Sequence, residues 1–315
     1  MKICQVHPAC GIDVPPPNWG ATERICWEFI QNLRKLGHEV DLKFVDEIEP
    51  GQYDIVHAHM ANLCHMLNAK GIPYVYSLHD HHAYYYGKDS FVYKENKRAI
   101  KNSLYGLLPG KFLVDWFDVE QGIYFSHGVN VDDFTYLPKK EIKEHKLLCL
   151  ANNGLAGMDG YDRKGFTFAI QAAMALNLPI TIAGPKNNQN YFNENPWVVG
   201  YPKLNIVWEP DQKELVELYQ DHTIFMHASE LEAGHPNLTI LEAASCGLPI
   251  CGWIEEETDF YGMWRAPRNT PEMVRGLNDI IDNYDRYREE AIKHANSLSW
   301  LNRSKELVKL YESKI

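Results

Sequence analysis

Several features that would place this chain in other classes of protein are missing from its sequence. No apolar run among the 315 residues is long enough to span a bilayer, and the first residues lack the basic-then-apolar layout of a signal peptide. The seven cysteines are odd in number and form no Cys-x-x-Cys pair, which favours reduced thiols in a cytoplasmic protein. No short internal repeat and no low-complexity segment is present.

Positive charge is also scarce. The chain has 31 lysines and arginines against 42 aspartates and glutamates, a net charge of −11, which argues against a generally basic nucleic-acid binder. A local basic face is still compatible with this balance. The hydrophobic content of 45% is sufficient for large cores, and the length suggests about two domains.

Apolar segments of strand and helix type alternate along the chain, which is typical of parallel sheets covered by helices on both faces. The predicted strands are 2–7, 40–45, 55–59, 74–78, 123–125, 147–150, 180–183, 206–208, 224–227 and 248–252, and the predicted helices include 22–36, 166–176 and 212–220. We therefore predict an α/β protein with two Rossmann-like, doubly wound parallel-sheet domains facing a central cleft. Ligands are expected beyond the carboxyl ends of the strands.

The most informative segment is SELEAGHPNLTILEAASCGLPI (229–250), where a loop enters an apolar helix. Asn237 is the predicted N-cap of that helix. The N–H groups near Leu238 and Thr239, together with the helix dipole, favour an anionic ligand. Glu242 lies about one turn into the helix, where a carboxylate can accept hydrogen bonds from a pair of sugar hydroxyls. A phosphate beside a ribose is typical of a nucleotide-sugar site.

Seven short motifs extend this interpretation over nearly the whole chain. They are PPPNWGATER (15–24), LGHEV (36–40), YDIVHAH (53–59), YSLHD (76–80), SHGVN (126–130), DRKGF (162–166) and LEAASCGLPI (241–250). In their order and spacing the chain resembles glycosyltransferase family 4, whose members are retaining enzymes with the two-domain GT-B fold. The resemblance implies an acceptor domain at 1–135, a nucleotide-sugar donor domain at 136–297 and a terminal helix at 298–315 that crosses back to the first domain.

The resemblance also implies roles for individual residues. Lys164, together with Arg163, would hold the donor diphosphate, and Glu242 would bind the ribose hydroxyls. Gly20 would let the backbone approach the donor phosphates or the acceptor. His79 would hydrogen-bond the transferred sugar or shape the acceptor site. Each residue also has a plain structural reading: a solvated loop cation, a solvent-facing helix glutamate, a turn glycine and a histidine at a sheet edge.

The chain departs from the family pattern at the first of two glutamates. The family has seven residues between the two, but Gly234 occupies the position eight before Glu242. Counting from Ser229 instead aligns Glu232 with the first glutamate. We favour Glu232 as that catalytic residue.

A second departure concerns an arginine that the family carries after the first strand of its second domain. Residues 152–154 are Asn-Asn-Gly at this place. Either Arg163 takes over the role, or the diphosphate is held by one cation and backbone amides. The other residues that we predict to bind the donor are Gly234, His235, Asn237, Leu238 and Thr239.

Histidines cluster in the first half, at His57 and His59 and again at His79, His81 and His82. Alternate residues of a strand share a face, so His57 and His59 could converge on a ligand. No cysteine or carboxylate completes a recognisable zinc spacing, and the chemistry of the family needs no metal. We therefore expect no catalytic metal and no cofactor, with the nucleotide diphosphate sugar as co-substrate.

Residues 88–111 concentrate basic and aromatic side chains in an otherwise acidic chain. They include Lys88, Lys94, Lys97, Arg98, Lys101 and Lys111 together with Phe91, Tyr93 and Tyr105. Such a segment could meet an anionic membrane surface or a nucleic-acid backbone. The plain alternative is a solvated amphipathic helix with a packed aromatic side.

Taken together, the motifs predict a retaining glycosyltransferase that moves a hexose from a UDP- or GDP-sugar to a hydroxyl of a glycan, lipid or small molecule. A narrower alternative is a phage-type enzyme that acts on a modified DNA base. Two further alternatives are a non-catalytic nucleotide-sugar-binding protein on the same fold and a sugar-nucleotide epimerase.

Overall fold

A computed structural model describes residues 1–9, 11–17, 20–138, 141–152, 162–230, 232–234, 236–254 and 260–314. The chain divides into two compact units. Unit 1 comprises Met1–Gly128, Glu232–Leu238 and Leu298–Ile315, and unit 2 comprises Val129–Leu231 and Thr239–Ser297. No helix in the described ranges is long and apolar enough to cross a membrane.

Unit 1 is built around a sheet in which every neighbouring pair of strands is parallel. Its strands are β1 (Lys2–Val6), β2 (Glu39–Lys43), β3 (Ile55–Ala58), β4 (Val75–Ser77), β5 (Gly106–Leu108) and β6 (Gly122–Tyr124), in the order β2-β1-β3-β4-β5-β6. Its helices are α1 (Ala21–Lys35), α2 (Ala61–Ala69), α3 (His82–Tyr86), α4 (Phe91–Lys101), α5 (Lys111–Phe117) and α13 (Trp300–Glu312).

Unit 2 repeats this architecture with a second parallel sheet. Its strands are β7 (Leu147–Leu150), β8 (Ile180–Gly184), β9 (Leu204–Trp208), β10 (Ile224–His227), β11 (Ile250–Gly252) and β12 (Met263–Arg265), in the order β12-β11-β10-β7-β8-β9. Its helices are α6 (Phe166–Leu176), α7 (Gln189–Glu194), α8 (Pro196–Val199), α9 (Gln212–Asp221), α10 (Leu238–Ser245), α11 (Thr270–Asp282) and α12 (Tyr284–Ser297). The first residue of α10 is grouped with unit 1.

The core of unit 1 includes a helix from the distant end of the sequence. α1 presents an apolar stripe at a spacing of three and four residues, and α13 packs against it. The buried side chains of this core include Cys26, Phe29, Ile30 and Leu33 from α1 and Trp300, Leu307 and Tyr311 from α13. Full burial of such a side chain contributes about 1.5–3 kcal/mol, so α13 is an integral part of the unit.

The predicted α/β class with two parallel-sheet domains is confirmed. The strands predicted at 147–150 and 224–227 have those bounds, and so does the helix at 166–176. β5 and β12, which have three residues each, were not predicted. The strand predicted at 40–45 ends at Lys43, since Val45 enters a 3-10 turn.

The six described cysteines are free and buried, as expected for reduced thiols. Burial raises the pKa of the Cys251 thiol to about 12, so this thiol stays protonated at neutral pH.

Candidate functional site

In unit 2, the turn at residues 162–165 leads into α6 and is fixed by a glycine. Gly165 has φ +68°, and a Cβ at this position would collide with the carbonyl oxygen of Ala228, just beyond β10. Only glycine satisfies both the left-handed backbone and this close approach. The motif DRKGF is therefore held against the carboxyl end of β10, where ligands of such sheets bind.

Asp162 occupies the N-terminus of α6. Its Oδ1 accepts a hydrogen bond of 3.0 Å from the backbone N–H of Phe166, and its Oδ2 accepts one of 2.7 Å from that of Thr167. These N–H groups would otherwise lack an intrahelical partner. The predicted diphosphate loop thus satisfies two N–H groups of this helix terminus with its own carboxylate.

Arg163 connects the same turn to the chain that follows β10. Its guanidinium Nη1 donates a hydrogen bond of 2.9 Å to the carbonyl oxygen of Glu230, and the backbone N–H of Glu230 donates one of 2.9 Å to the carbonyl oxygen of Arg163. Its proposed substitution for the family arginine is an untested prediction.

Arg268 also holds this turn, although no sequence motif predicts it. Its Nε donates to the Ala228 carbonyl at 2.8 Å, its Nη2 donates to the Asp162 carbonyl at 2.8 Å, and its Nη1 forms an ion pair with the Glu230 carboxylate. The planar guanidinium can reach three partners at once, which an ammonium group cannot do in the same geometry. No motif marks this arginine, because its partners lie 38 to 106 residues away.

Lys164 is half-buried in the same turn. Burial raises the pKa of the Cys149 thiol to about 12, the charge of Asp162 adds to this rise, and the charge of Lys164 opposes it. Half-burial does not fit a fully solvated loop lysine, and contact of Lys164 with a donor diphosphate is a prediction.

Glu242 is 8% exposed, which excludes the plain reading as a solvent-facing helix residue. Its Oε2 accepts a hydrogen bond of 2.9 Å from the hydroxyl of Tyr219 on α9. The same hydroxyl lies 3.4 Å from the carbonyl oxygen of Thr239. Burial raises the pKa of Tyr219 well above its usual range, and the Glu242 charge contributes to that rise. Tyr219, which no sequence motif predicts, orients the predicted ribose-binding carboxylate.

α10 begins at Leu238, directly after Asn237, as the predicted N-cap requires. Leu238 packs against the core of unit 1. Thr239 is half-buried, and its carbonyl oxygen is the one near Tyr219. Whether these residues bind a donor phosphate is untested. His235 lies outside the described residues.

In unit 1, the segment 232–234 packs against residues from two other parts of the sheet. A Cβ on Gly234 would lie 2.7 Å from Nδ1 of His127, and a Cβ on Gly110 would lie 3.0 Å from the Ala233 carbonyl oxygen. Glu232 is half-buried in this segment. Its identification with the first glutamate of the family is a prediction that the geometry leaves untested.

His79 follows β4, is half-buried and stacks in a cluster of histidines. Its Nε2 lies 2.9 Å from Nδ1 of His59. His57 is surrounded by the hydroxyls of Tyr311 at 2.6 Å and Ser77 at 2.8 Å. Within the described residues, no group of three or more His, Cys, Asp or Glu side chains is arranged to hold a metal ion.

Gly20 precedes α1 with an extended backbone. A Cβ here would lie 2.9 Å from Oε2 of Glu23 and 3.0 Å from Cβ of Pro16. Close packing alone therefore accounts for a glycine at this position, and its contact with a donor or acceptor is a prediction.

The basic and aromatic segment at 88–111 is not one helix, since it runs from the residues before α4 through β5 to the first residue of α5. Tyr93 stacks on Phe117 with ring centroids 5.3 Å apart, and the Lys97 ammonium lies 5.6 Å from the Tyr93 ring. Phe91 is 77% exposed. The segment thus combines a packed aromatic side with one large exposed ring, and its contact with DNA or a membrane is a prediction.

The two parallel sheets with their flanking helices define the GT-B fold of glycosyltransferases. No protein-family model and no curated protein matches the chain.

Three solved structures illustrate the likeness. Sucrose-phosphate synthase from Thermosynechococcus elongatus superposes with a TM-score of 0.76 at 12% identity, covering 99% of this chain and 98% of that one. HepE from Anabaena, in complex with UDP and glucose, gives 0.71 at 12% identity over 99% and 100%. AviGT4, a glycosyltransferase involved in avilamycin A biosynthesis, gives 0.70 at 16% identity over 99% and 97%. At such identities the likeness establishes the fold.

Proposed function

We propose that the protein is a retaining glycosyltransferase of family 4 that moves a hexose from a UDP- or GDP-sugar to a hydroxyl of a glycan, lipid or small molecule. The observation that carries the proposal is the buried Glu242 carboxylate, which Tyr219 orients within a GT-B fold. A carboxylate held in a fixed direction can accept hydrogen bonds from the ribose hydroxyls of a nucleotide.

The proposed leaving-group site consists of cations and backbone N–H groups. Breaking the bond between the anomeric carbon and the diphosphate leaves negative charge on the phosphate oxygens, so preorganised donors there stabilise the transition state. Lys164 and Arg163 on the turn before α6, and the N–H groups at Leu238 and Thr239, are the proposed donors. Arg268 fixes that turn through its three contacts.

Two kinds of observation support the nucleotide and the retaining outcome. HepE is described in complex with UDP-glucose, and the catalytic domain of starch synthase IV from Arabidopsis thaliana is described as bound to ADP and acarbose. Both proteins share the fold of this chain, which supports a nucleoside diphosphate in the equivalent unit here. The retaining stereochemistry rests on the seven motifs that resemble family 4. The predicted absence of a catalytic metal, the cytoplasmic location and the acceptor are part of the same proposal.

The test is a thermal-shift panel of the full chain with UDP, GDP, ADP, TDP and their hexose conjugates. A ligand at 100 times its Kd raises the free energy of unfolding by about 2.7 kcal/mol, so one nucleotide family should raise the Tm. Glu242→Ala should abolish the shift. Glu217→Ala, an exposed glutamate on α9, is the matched control and should preserve it.

Two results would overturn parts of this proposal. If no nucleotide or conjugate raises the Tm of the natural chain, the transferase function fails. If Glu242→Ala responds like Glu217→Ala, the function stands and the role of Glu242 is wrong. The anomeric configuration of the product, read by NMR, then decides between retention and inversion.

A second candidate is a nucleotide-sugar-binding protein without activity. Asn152 occupies the place of the family arginine, and the N-terminus of α6 is satisfied by Asp162. Both observations reduce the positive charge available to a leaving diphosphate. Slow hydrolysis of the bound donor in the absence of acceptor would favour the enzyme, whereas binding without hydrolysis would favour this candidate.

A further inference from the structure

Four histidine rings form a continuous stack inside unit 1, and we call them the histidine column. They are His57 and His59 around the end of β3, His79 after β4, and His127 after β6. Successive ring centroids lie 4.7, 5.1 and 6.0 Å apart, with interplanar angles of 21° to 26°. Parallel strands bring these residues together because their carboxyl ends lie at one edge of the sheet.

The two halves of the histidine column differ in how their ring nitrogens are satisfied. Both nitrogens of His57 and both nitrogens of His59 have partners within 2.9 Å. In contrast, Nδ1 of His79 and both nitrogens of His127 are buried and have no hydrogen-bond partner within the described ranges. Buried ring nitrogens normally have partners, so this end of the column is where a polar ligand group would complete the network.

Every ring in the column is neutral at physiological pH. Burial lowers the pKa of His57 to about 3 and that of His127 to about 4. Burial also holds the pKa values of His59 and His79 well below their usual range, with the neighbouring histidines adding to the effect. A neutral imidazole has one N–H donor and one acceptor nitrogen. The position of each proton is therefore set by the neighbouring hydrogen bonds.

The chain of hydrogen bonds runs from Gln5 through His59 to His79. Oε1 of Gln5 lies 2.8 Å from Nε2 of His59. An amide oxygen only accepts, so this nitrogen carries the ring proton and donates a hydrogen bond to Oε1. Nδ1 of His59 is then an acceptor, and it receives the N–H of His79 Nε2 at 2.9 Å. It follows that Nδ1 of His79 carries no proton and presents a lone pair.

Only the oxygen of the Gln5 amide takes part in this chain of hydrogen bonds. Oε1 of Gln5 is the atom near Nε2 of His59, whereas Nε2 of Gln5 is buried and has no hydrogen-bond partner within the described residues. The Tyr311 hydroxyl lies 2.6 Å from Nδ1 of His57 and so belongs to the other half of the column.

We infer that Gln5 and His59 are positioning residues that lock His79 in the tautomer with an unprotonated Nδ1, and that His79 therefore accepts a hydrogen bond from a ligand hydroxyl. The inference rests on the proposed function in one respect, because that function makes the hydroxyl one of a sugar. A fixed acceptor selects a group that donates. It discriminates against a fluorine or a carbonyl at the same position, since neither can donate a hydrogen bond.

The first test is spectroscopic and needs no substrate. Long-range proton–nitrogen NMR spectra of the full chain labelled with 15N-histidine distinguish protonated from unprotonated ring nitrogens, and the His79 signals are assigned by their loss in His79→Gln. We expect the natural chain to show a protonated Nε2 and an unprotonated Nδ1 at His79. A proton on Nδ1 would overturn the inference without any variant.

The second test removes the first acceptor in the chain of hydrogen bonds from Gln5 through His59 to His79, which we call the relay. Gln5→Met keeps the size of the side chain but removes its acceptor oxygen, so the His79 nitrogens should shift toward a mixture of tautomers. Ser77→Ala is the matched control, because it removes a buried partner of His57 in the same column but not of His59 or His79. His79 signals that are unchanged in Gln5→Met, or equally changed in Ser77→Ala, would contradict the relay.

The third test separates the relay from the proposed function. Gln5→Met should weaken binding of the nucleotide sugar by roughly 10- to 100-fold and leave the affinity for the nucleoside diphosphate unchanged. An equal loss for both ligands would indicate a merely structural role. If no nucleotide sugar binds the natural chain while the His79 tautomer is as inferred, the proposed function fails and the relay stands.

Discussion

The hydroxyl of Tyr219 donates a hydrogen bond of 2.9 Å to Oε2 of Glu242, and both side chains are buried in unit 2. The two residues come from different helices, 23 positions apart. This contact holds one carboxylate oxygen in a fixed direction. The sequence alone does not show whether Glu242 faces solvent or a ligand. The contact with Tyr219 makes its carboxylate an oriented hydrogen-bond acceptor.

Tyr219→Phe should weaken nucleotide binding by roughly tenfold, because a hydrogen bond to a charged group contributes about 1.5–3 kcal/mol. Isothermal titration calorimetry measures this change. Tyr201→Phe is the control, since the Tyr201 hydroxyl donates only to backbone carbonyls of the same unit, at 2.7 Å to Leu178. Both variants should lose stability, but only Tyr219→Phe should lose affinity. Equal affinities would show that Glu242 does not need this orientation.

Lys164→Ala should lower kcat by roughly 100- to 1,000-fold, the usual cost of removing one donor that stabilises transition-state charge. Initial rates of transfer or of donor hydrolysis provide the measurement. Lys186→Ala removes an exposed lysine of the same unit that pairs with Glu209 at 3.2 Å, and it should leave kcat unchanged. A Lys164→Ala enzyme with the natural rate would show that Lys164 does not stabilise the leaving group.

Gly165→Ala should destabilise the protein by about 2 kcal/mol or more, because a left-handed residue is strained and its Cβ would collide with the Ala228 carbonyl. Gly51→Ala is the control. Gly51 has φ +75° with nothing within 4 Å of its Cβ position, so it should show the backbone strain alone, about 1 kcal/mol. Denaturant unfolding monitored by circular dichroism gives both values, and similar losses would mean that the turn moves freely away from β10.

The histidine column should make unit 1 sensitive to acid. An unfolded histidine has a pKa of about 6.5, whereas burial lowers the folded pKa of His57 to about 3 and that of His127 to about 4. Below pH 6.5 the unfolded chain therefore binds more protons, and stability falls as the pH drops toward these lower values. Each neutral buried histidine contributes a slope of up to about 1.4 kcal/mol per pH unit.

His127→Gln should remove one such contribution. The groups that influence His127 are the His79 ring and the Arg303 guanidinium, whose charge further lowers the pKa of His127. The free energy of unfolding is measured at about pH 7 and about pH 5, which span the usual titration range of histidine. The difference between the two values should be smaller in His127→Gln than in the natural chain. His82→Gln, an exposed histidine, should leave the difference unchanged. An unaltered pH dependence in His127→Gln would mean that the ring is protonated in the folded state.

How far the sequence predicts the fold depends on whether an element carries a local signal of its own. The buried run at 147–150 and the amphipathic pattern at 166–176 are strong local signals, and the structure has both with those bounds. β5 and β12 have three residues each, and their formation depends on pairing with neighbours that are distant in sequence. The local periodicity of a sequence does not indicate which distant strands pair with each other.

The candidate site shows the same division. The turn before α6 and the start of α10 follow from glycine and cap residues that are visible in the sequence. The contacts that make them specific come from elsewhere: Arg268 reaches Asp162 across 106 positions, and His59 reaches Gln5 across 54. Contacts between residues so far apart in sequence depend on the topology of the fold, so the roles of these residues could not be predicted from the motifs.

The place of α13 in unit 1 has a consequence for biosynthesis. Trp300 and Tyr311 complete the core that α1 begins, and the Tyr311 hydroxyl satisfies His57 in the centre of the sheet. Nascent domains usually fold in the order in which they leave the ribosome. Here residues 1–128 can complete the core of unit 1 only after residues 298–314 emerge, whereas residues 129–297 supply all of unit 2 before that point. We therefore expect unit 1, which contains the first residues of the sequence, to finish folding after unit 2.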